Sequence, residues 1–166
     1  MHIKHALYIE GTGEREILLK RLFSAPPEMV FDAYTKPELL RRWFTGPDGW
    51  ALSVCEVDLR VHGAYRFVWS GETGEMAVSG TYRSIERPHA LVNTERFDQQ
   101  WYPGESLITS SYRSHPQGTE LQITILYESS DARDTVLNSK TARGIVNSYD
   151  RLEALLVGLL SDPRRS

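Results

Sequence analysis

Histidine and cysteine are few in this chain. Histidines stand at His2, His5, His62, His89 and His115, and there is one cysteine, Cys55. None of the histidines has a zinc-type spacing to Cys55 or to a second histidine on a helix. His62, His89 and His115 fall in turn-like segments. His2 and His5 could chelate only weakly at the start of the chain. No metal and no cofactor is expected. Cys55 lies in a strand-like run without a neighbouring His or Lys to lower its pKa, so a small buried apolar group is the expectation rather than a nucleophile. Glu56 and Asp58 in "CEVD" share a strand face. A carboxylate pair can do acid–base work, but on a sheet with one wet face it is the wet side. "GETGE" lacks phosphate-loop spacing and reads as a hairpin turn. No Walker, Rossmann or Ser-His-Asp signature is present, and no catalytic residue is assigned.

The larger store of chemistry is aromatic: Trp43, Phe44, Trp50, Tyr65, Phe67, Trp69, Phe97, Trp101, Tyr112 and Tyr149. Each carries a large burial energy and could be core. Taken together they also suit an apolar pocket with a few polar groups. The polar groups able to point into such a pocket are Asn138, Thr141, Ser148 and Tyr149 near the C-terminus, and Arg66, Arg96 and Arg113 on strand-like runs. Arg66 alternates with Tyr65 and Phe67, which puts it on the solvent side. The candidate ligand-binding residues are Trp43, Tyr65, Phe67, Trp69, Phe97, Tyr112, Thr141, Ile145 and Tyr149.

The elements that must position them follow from pattern and punctuation. "REILLKRLF" (Arg15–Phe23) reads as a strand. Pro26 at the first helical position and Glu28 in the first turn open a helix. "TKPE" (Thr35–Glu38) has capping-box form and opens a second. Six strand-like runs follow, from Trp50 to Glu128, separated by short turns such as "GETG" and "HPQG". Turns this short imply antiparallel neighbours. Tyr65, Phe67 and Trp69 share one strand face, as do Leu121, Ile123, Ile125 and Tyr127. From Asp131 to Leu160 the period changes. Leu137, Thr141, Ile145, Tyr149, Leu152, Leu156 and Leu159 recur at three and four, a long amphipathic helix with Ser129, Ser130 and Asp131 available as caps. The expected fold is α+β: one strand, two short helices, six antiparallel strands and a long helix gripped by the curved sheet, which buries the apolar face of both.

Length and charge bound the rest. The chain has 166 residues, 40% hydrophobic and 25% charged, with net charge −3. That fits one domain spanning 1–166, with 1–13 as an N-terminal extension and 161–166 as a tail. It argues against nucleic acid or an anionic membrane as partner, since both require a basic face. Arg41-Arg42 and Arg164-Arg165 are the arginine doublets, and two doublets are ordinary solvated surface. A lone cysteine suits a reducing cytoplasm, and "LEALLVGLL" is too short and interrupted to span a bilayer.

The words "FSAPPEMVFDAYTKPELLRRWF", "CEVDLRVHGAYRF", "SGTYRSIERPHALVNTERF" and "RGIVNSYDRLEALL" occur in order. Together they resemble the helix-grip proteins of the START/Bet v 1-like (SRPBCC) superfamily, within it the group related to the C-terminal domain of the activator of heat-shock protein 90 ATPase. The resemblance runs from about Glu14 to Leu160. That group usually carries Trp at both aromatic positions after the basic pair, where this chain has Trp43-Phe44. It usually carries Pro-Gly-Gly where this chain has Val61-His62-Gly63. Its Gly-Met-Gly-like segment is here Gly144-Ile145-Val146. The resemblance implies a cavity between sheet and long helix that takes small hydrophobic molecules in many relatives.

Three functions follow as expectations. The first is a cytoplasmic protein binding a small hydrophobic molecule. The second is a polyketide cyclase- or aromatase-like enzyme in the same cavity, which predicts a buried, convergent cluster of Tyr, Arg or carboxylate. The third is a chaperone-associated protein-binding module, which predicts a large exposed apolar patch. The resemblance ties chaperone activity to proteins with an added N-terminal domain, and only residues 1–13 precede the first matched strand here. A homodimer through edge strands or the outer side of the last helix is a further expectation.

Overall fold

A computed structural model describes residues 5–162; His2, Pro163, Arg164 and Arg165 lie outside that range. Strands form where apolar side chains alternate. β2 (Glu16–Phe23) buries Ile17, Leu19, Arg21 and Phe23 on one face. It pairs on one side with β1 (Tyr8–Thr12), an edge strand that the sequence reading had left in an extension. Two short helices follow, α1 (Pro27–Thr35) and α2 (Pro37–Trp43). Then come β3 (Ala51–Val57), β4 (Ala64–Gly71), β5 (Gly74–Glu86), β6 (Ala90–Phe97), β7 (Ser106–His115) and β8 (Gly118–Leu126). The eight strands form one antiparallel sheet in the order β1-β2-β8-β7-β6-β5-β4-β3. β3 to β8 are the expected meander, closed onto the N-terminal hairpin by the β2–β8 pairing.

The helix boundaries differ from the sequence reading in two places. Pro26 is the N-cap of α1 and Pro27 takes the first turn. The Thr35 capping box does not form. Thr35 ends α1, its hydroxyl donating to the Phe31 carbonyl at 2.9 Å. Pro37 drives the preceding residue out of the helical region, so Lys36 is extended (φ −96°, ψ 121°) and α2 begins at the proline. The C-terminal helix is likewise broken, into α3 (Ser130–Leu137) and α4 (Thr141–Ser161). Ser129 caps α3 through its side chain, as its position suggested. At the break Ser139 Oγ binds the Val136 carbonyl at 2.6 Å and accepts from the Thr141 N–H at 3.2 Å. These local side-chain bonds compete with the helical ladder.

α4 grips with its C-terminal half. Tyr149, Leu152, Glu153, Leu155 and Leu156 are buried, Leu152 and Leu156 completely. Polar clamps fix this half. Arg21 of β2 reaches Asp150 at 3.1 Å. Glu153 accepts from the Ser24 N–H at 3.0 Å and the Ser24 hydroxyl at 2.8 Å. Arg151 donates to the carbonyls of Trp43 and Gly46, both at 3.0 Å. In the N-terminal half nothing with a described side chain is buried: Thr141, Ile145, Val146 and Ser148 are half-buried, and Arg143, Gly144 and Asn147 are exposed.

The Val61-His62-Gly63 departure has a local cost. His62 adopts φ +70°, the left-handed region, where a residue with a Cβ is disfavoured by roughly 1–2 kcal/mol. The Gly63 backbone lies so close to the Asp58 carbonyl that a Cβ has no room. His62→Gly is expected to raise stability by up to about 1 kcal/mol, the steric relief outweighing glycine's greater chain entropy. Urea unfolding of the two proteins measures it.

Candidate functional site

The inward face of the sheet can be read row by row from the pairing register. Nearest α1 is the row Arg21, Leu121, Tyr112, and next is Leu19, Ile123, Ser110, Leu91. Every residue of these two rows is buried. The third row runs Ile17, Ile125, Ile108, Asn93. Ile17 is buried, while Ile125, Ile108 and Asn93 are only half-buried. The fourth row contains Ser106 opposite Glu95. The Leu107–Leu126 pair beside it sets Tyr127 opposite Ser106. The flanking pairs Ser79–Arg96 and Tyr82–Asn93 set Gly80 opposite Glu95, and Tyr65 lies opposite Gly80. Phe97, on the same face, is half-buried.

Packing therefore falls off along the groove. It is complete beneath α1, α2 and the clamped half of α4. It loosens in the third row, on β6, β7 and β8, and in the N-terminal half of α4. Ile145 lies one helical turn before Tyr149 and shares its inward face, yet it too is half-buried. Apolar side chains thus stay accessible on the inner faces of both sheet and helix, and the space they face is the candidate recess.

Glu95 stands in this recess. Alternation along β6 puts it inward with Leu91, Asn93 and Phe97. Among the described residues no hydrogen bond or ion pair reaches its carboxylate; its backbone carbonyl accepts from Ser106 Oγ at 3.5 Å. Burial alone pushes its carboxyl up to about 7. Its charge in turn helps raise the hydroxyls of Tyr65, Tyr102 and Tyr127, each shifted first by burial. The sequence reading missed Glu95. The signal was available in "LVNTERF", where it alternates with two apolar residues and an asparagine.

A carboxyl that titrates high in the folded state holds its proton there over a range in which the unfolded chain has lost it. That contribution to stability is present below the unfolded value and is lost as pH rises through the folded one. Glu95→Gln is therefore expected to be more stable than the parent at pH above about 7, the difference shrinking toward the ordinary glutamate range. Unfolding midpoints of both proteins across pH measure this.

The nine candidate residues separate by environment. Phe97, Thr141 and Ile145 are half-buried around the recess or at the start of the helix above it, Thr141 holding Ser139 Oγ at 2.6 Å. Tyr65 is buried in the Glu95 row, its hydroxyl donating to the Thr94 carbonyl and accepting from Asn93. Phe67, Trp69, Tyr112, Tyr149 and Trp43 are packed as core. Trp69 Nε1 donates to the Phe44 carbonyl at 2.8 Å, and Trp43 Nε1 to the Ala33 carbonyl at 2.9 Å. Tyr34 donates to Tyr149 at 2.7 Å. Of the polar candidates, Arg96 and Arg113 are exposed and Arg66 pairs with Asp98 at 2.7 Å. Glu56 and Asp58 are exposed, and Cys55 is buried, where desolvation raises its thiol. Among the described residues no group of three metal-ligating side chains occurs, and no helix is long and apolar enough to cross a membrane. An open depression of about 410 Å³ is lined by Thr94, Leu107 and Leu126, by Ser106 and Tyr127 of the fourth row, and by Arg15 and Arg83.

A curved antiparallel sheet holding a C-terminal helix is the helix-grip class, whose members generally bind hydrophobic ligands. The chain belongs to the activator of Hsp90 ATPase homolog 1-like protein family, whose model matches residues 24–157. It is similar to a Rhodobacter sphaeroides protein of known crystal structure at 30% identity, covering 92% of this chain and 99% of that one, with a TM-score of 0.86. A Chromobacterium violaceum protein is similar at 28% identity, covering 86% and 96%, with a TM-score of 0.75. The solution structure of an AHSA1-like protein from Aeromonas hydrophila, at 23% identity, covering 84% and 93%, with a TM-score of 0.68, shares the fold. A search of the curated proteins returned no match.

Proposed function

We propose that this protein binds a small hydrophobic molecule between the inward face of β6–β8 and the N-terminal half of α4. One observation carries the reading: Ile108, Ile125 and Phe97 on the sheet and Ile145 on the helix remain half-buried on faces whose neighbouring rows are sealed. Apolar groups left wet between two packed elements are stabilised by an apolar occupant, at roughly 25 cal/mol per Å² removed from water. Phe97, Ile145, Thr141 and Tyr65 are the candidate ligand contacts retained from the sequence. Ile108, Ile125, Asn93 and Glu95 join them.

The cyclase-like alternative draws on the carboxylate and tyrosines of the Glu95 row. Such chemistry also needs a group to polarise a carbonyl. Of the arginines on this face, Arg21 is tied to Asp150 and sealed three rows away, and Arg15 is exposed with its guanidinium on the Tyr127 carbonyl, which favours binding over turnover. The chaperone-associated alternative needs a broad apolar surface. The exposed large apolar residues among those described are Tyr8, Leu59, Val61, Trp101 and Leu160, spread over four parts of the chain.

Native mass spectrometry of the purified protein, followed by a fluorescence titration with naphthalenemethanol, tests the reading. A retained apolar mass, or saturable one-to-one binding, is the expected result. A protein that retains nothing and binds no apolar probe would remove it.

A further inference from the structure

Glu95 is an expensive residue to place in an apolar recess. A carboxylate withdrawn from water without a partner costs several kcal/mol unless it protonates or finds one. The register explains how the position is accommodated. Its row neighbours are the small residues Gly80 and Ser106, with Tyr65 and Tyr127 beyond them, and the Tyr65 ring crosses over Gly80 to the Thr94 carbonyl. Tyr102 folds in from the β6–β7 connection, its ring 5.3 Å from that of Tyr127 and 5.8 Å from that of Phe97. Gly80 is held small by its surroundings: a Cβ there would collide with the Thr94 carbonyl and lie 2.7 Å from the Tyr65 ring. Of the cations on this face, Arg21 is three rows off, about 20 Å along the strands at 3.3–3.4 Å per residue, and is engaged with Asp150; Arg15, which the Glu16–Leu126 pair sets opposite Tyr127 at the far end of the row, is exposed and donates to the Tyr127 carbonyl at 3.2 Å.

The result is one uncompensated negative group at the end of an apolar groove, bordered by tyrosine rings. That constellation complements a positive charge. The carboxylate offers a charge-assisted hydrogen bond, and the ring faces attract an ammonium electrostatically. The same group repels a fatty-acid or other carboxylate head. Resting on the reading that this recess takes an apolar ligand, we propose that Glu95 is its polar anchor and that the preferred ligand class is an apolar body ending in a protonated amine.

The test uses the full chain and three matched probes at neutral pH: naphthylmethylamine, naphthalenemethanol and naphthoate, measured by calorimetry. The amine is expected to bind at least about tenfold more tightly than the alcohol, with naphthoate weakest, a tenfold ratio being about 1.4 kcal/mol. Glu95→Gln is expected to weaken the amine about tenfold and leave the alcohol within about twofold. Naphthoate binding as tightly as the amine, or an equal loss of amine and alcohol in the variant, overturns the anchor while leaving the hydrophobic-ligand reading in place. Failure of all three probes to bind overturns both. The order of amine and naphthoate in the parent protein decides the matter even if the variant does not fold.

Discussion

Trp43→Ala is expected to remove about 3–5 kcal/mol of folding stability, the range for deleting a large buried aromatic. Trp43 is fully buried at the end of α2. Its ring lies 5.0 Å from that of Tyr34, 5.1 Å from Phe44 and 6.3 Å from Tyr149. Its indole N–H satisfies the Ala33 carbonyl, and its own carbonyl receives Arg151 from α4. One substitution therefore opens a void, orphans a buried acceptor and loosens the clamp between α2 and the helix. Domains of this size carry roughly 5–15 kcal/mol in all, so the variant should unfold at much lower urea. The outcome separates two roles for the same residue. A wall of the ligand recess would be tolerated and would change ligand affinity instead. A loss below about 1 kcal/mol with weakened probe binding would return Trp43 to the site.

The second large effect is expected from filling the recess. Ile108 faces inward from β7 between Asn93 and Ile125 and is half-buried. Ile108→Trp adds bulk at a side chain that stays half-buried. It should keep stability within about 1 kcal/mol of the parent and weaken naphthalenemethanol binding at least tenfold. If this region were packed core, the same change would cost about 1–3 kcal/mol through overpacking. Urea unfolding and calorimetry on one preparation give both numbers. Affinity falls while stability holds under the first description, and stability falls under the second, so the pair of measurements discriminates.

These two residues also show what the sequence makes legible. The strands β3 to β8 were readable because Tyr65, Phe67, Trp69 and Leu121, Ile123, Ile125 alternate cleanly and short turns separate the runs. β1 was not, since Tyr8–Thr12 is a short edge strand with Gly11 inside and no buried alternation. The interruption between α3 and α4 was hidden because the apolar spacing continues across Asn138–Lys140. No proline or glycine marks the break, and it is made by Ser139 bonding to its own backbone neighbourhood. Aromaticity drew the site reading toward Trp43 and Trp69, whose indole N–H groups instead complete core hydrogen bonds. Composition cannot separate an aromatic that seals a core from one that faces a recess; that depends on how far the gripped helix extends its packing. The aliphatic pair Ile108 and Ile125, and Glu95 beside them, carried no such flag.

The central claim is that one patch of the inner face, and not the whole core, is open to an apolar molecule. Isoleucine methyl NMR during a titration with naphthalenemethanol tests it most directly. The chain supplies its own controls, because Ile17 and Ile123 lie on the same inward face but are buried, while Ile108, Ile125 and Ile145 are half-buried around the recess. Saturable shifts are expected at Ile108, Ile125 and Ile145, with Ile123 nearly still. Shifts at none of the three as the probe is raised to its solubility limit, or shifts confined to residues on the opposite face of the sheet, would contradict it.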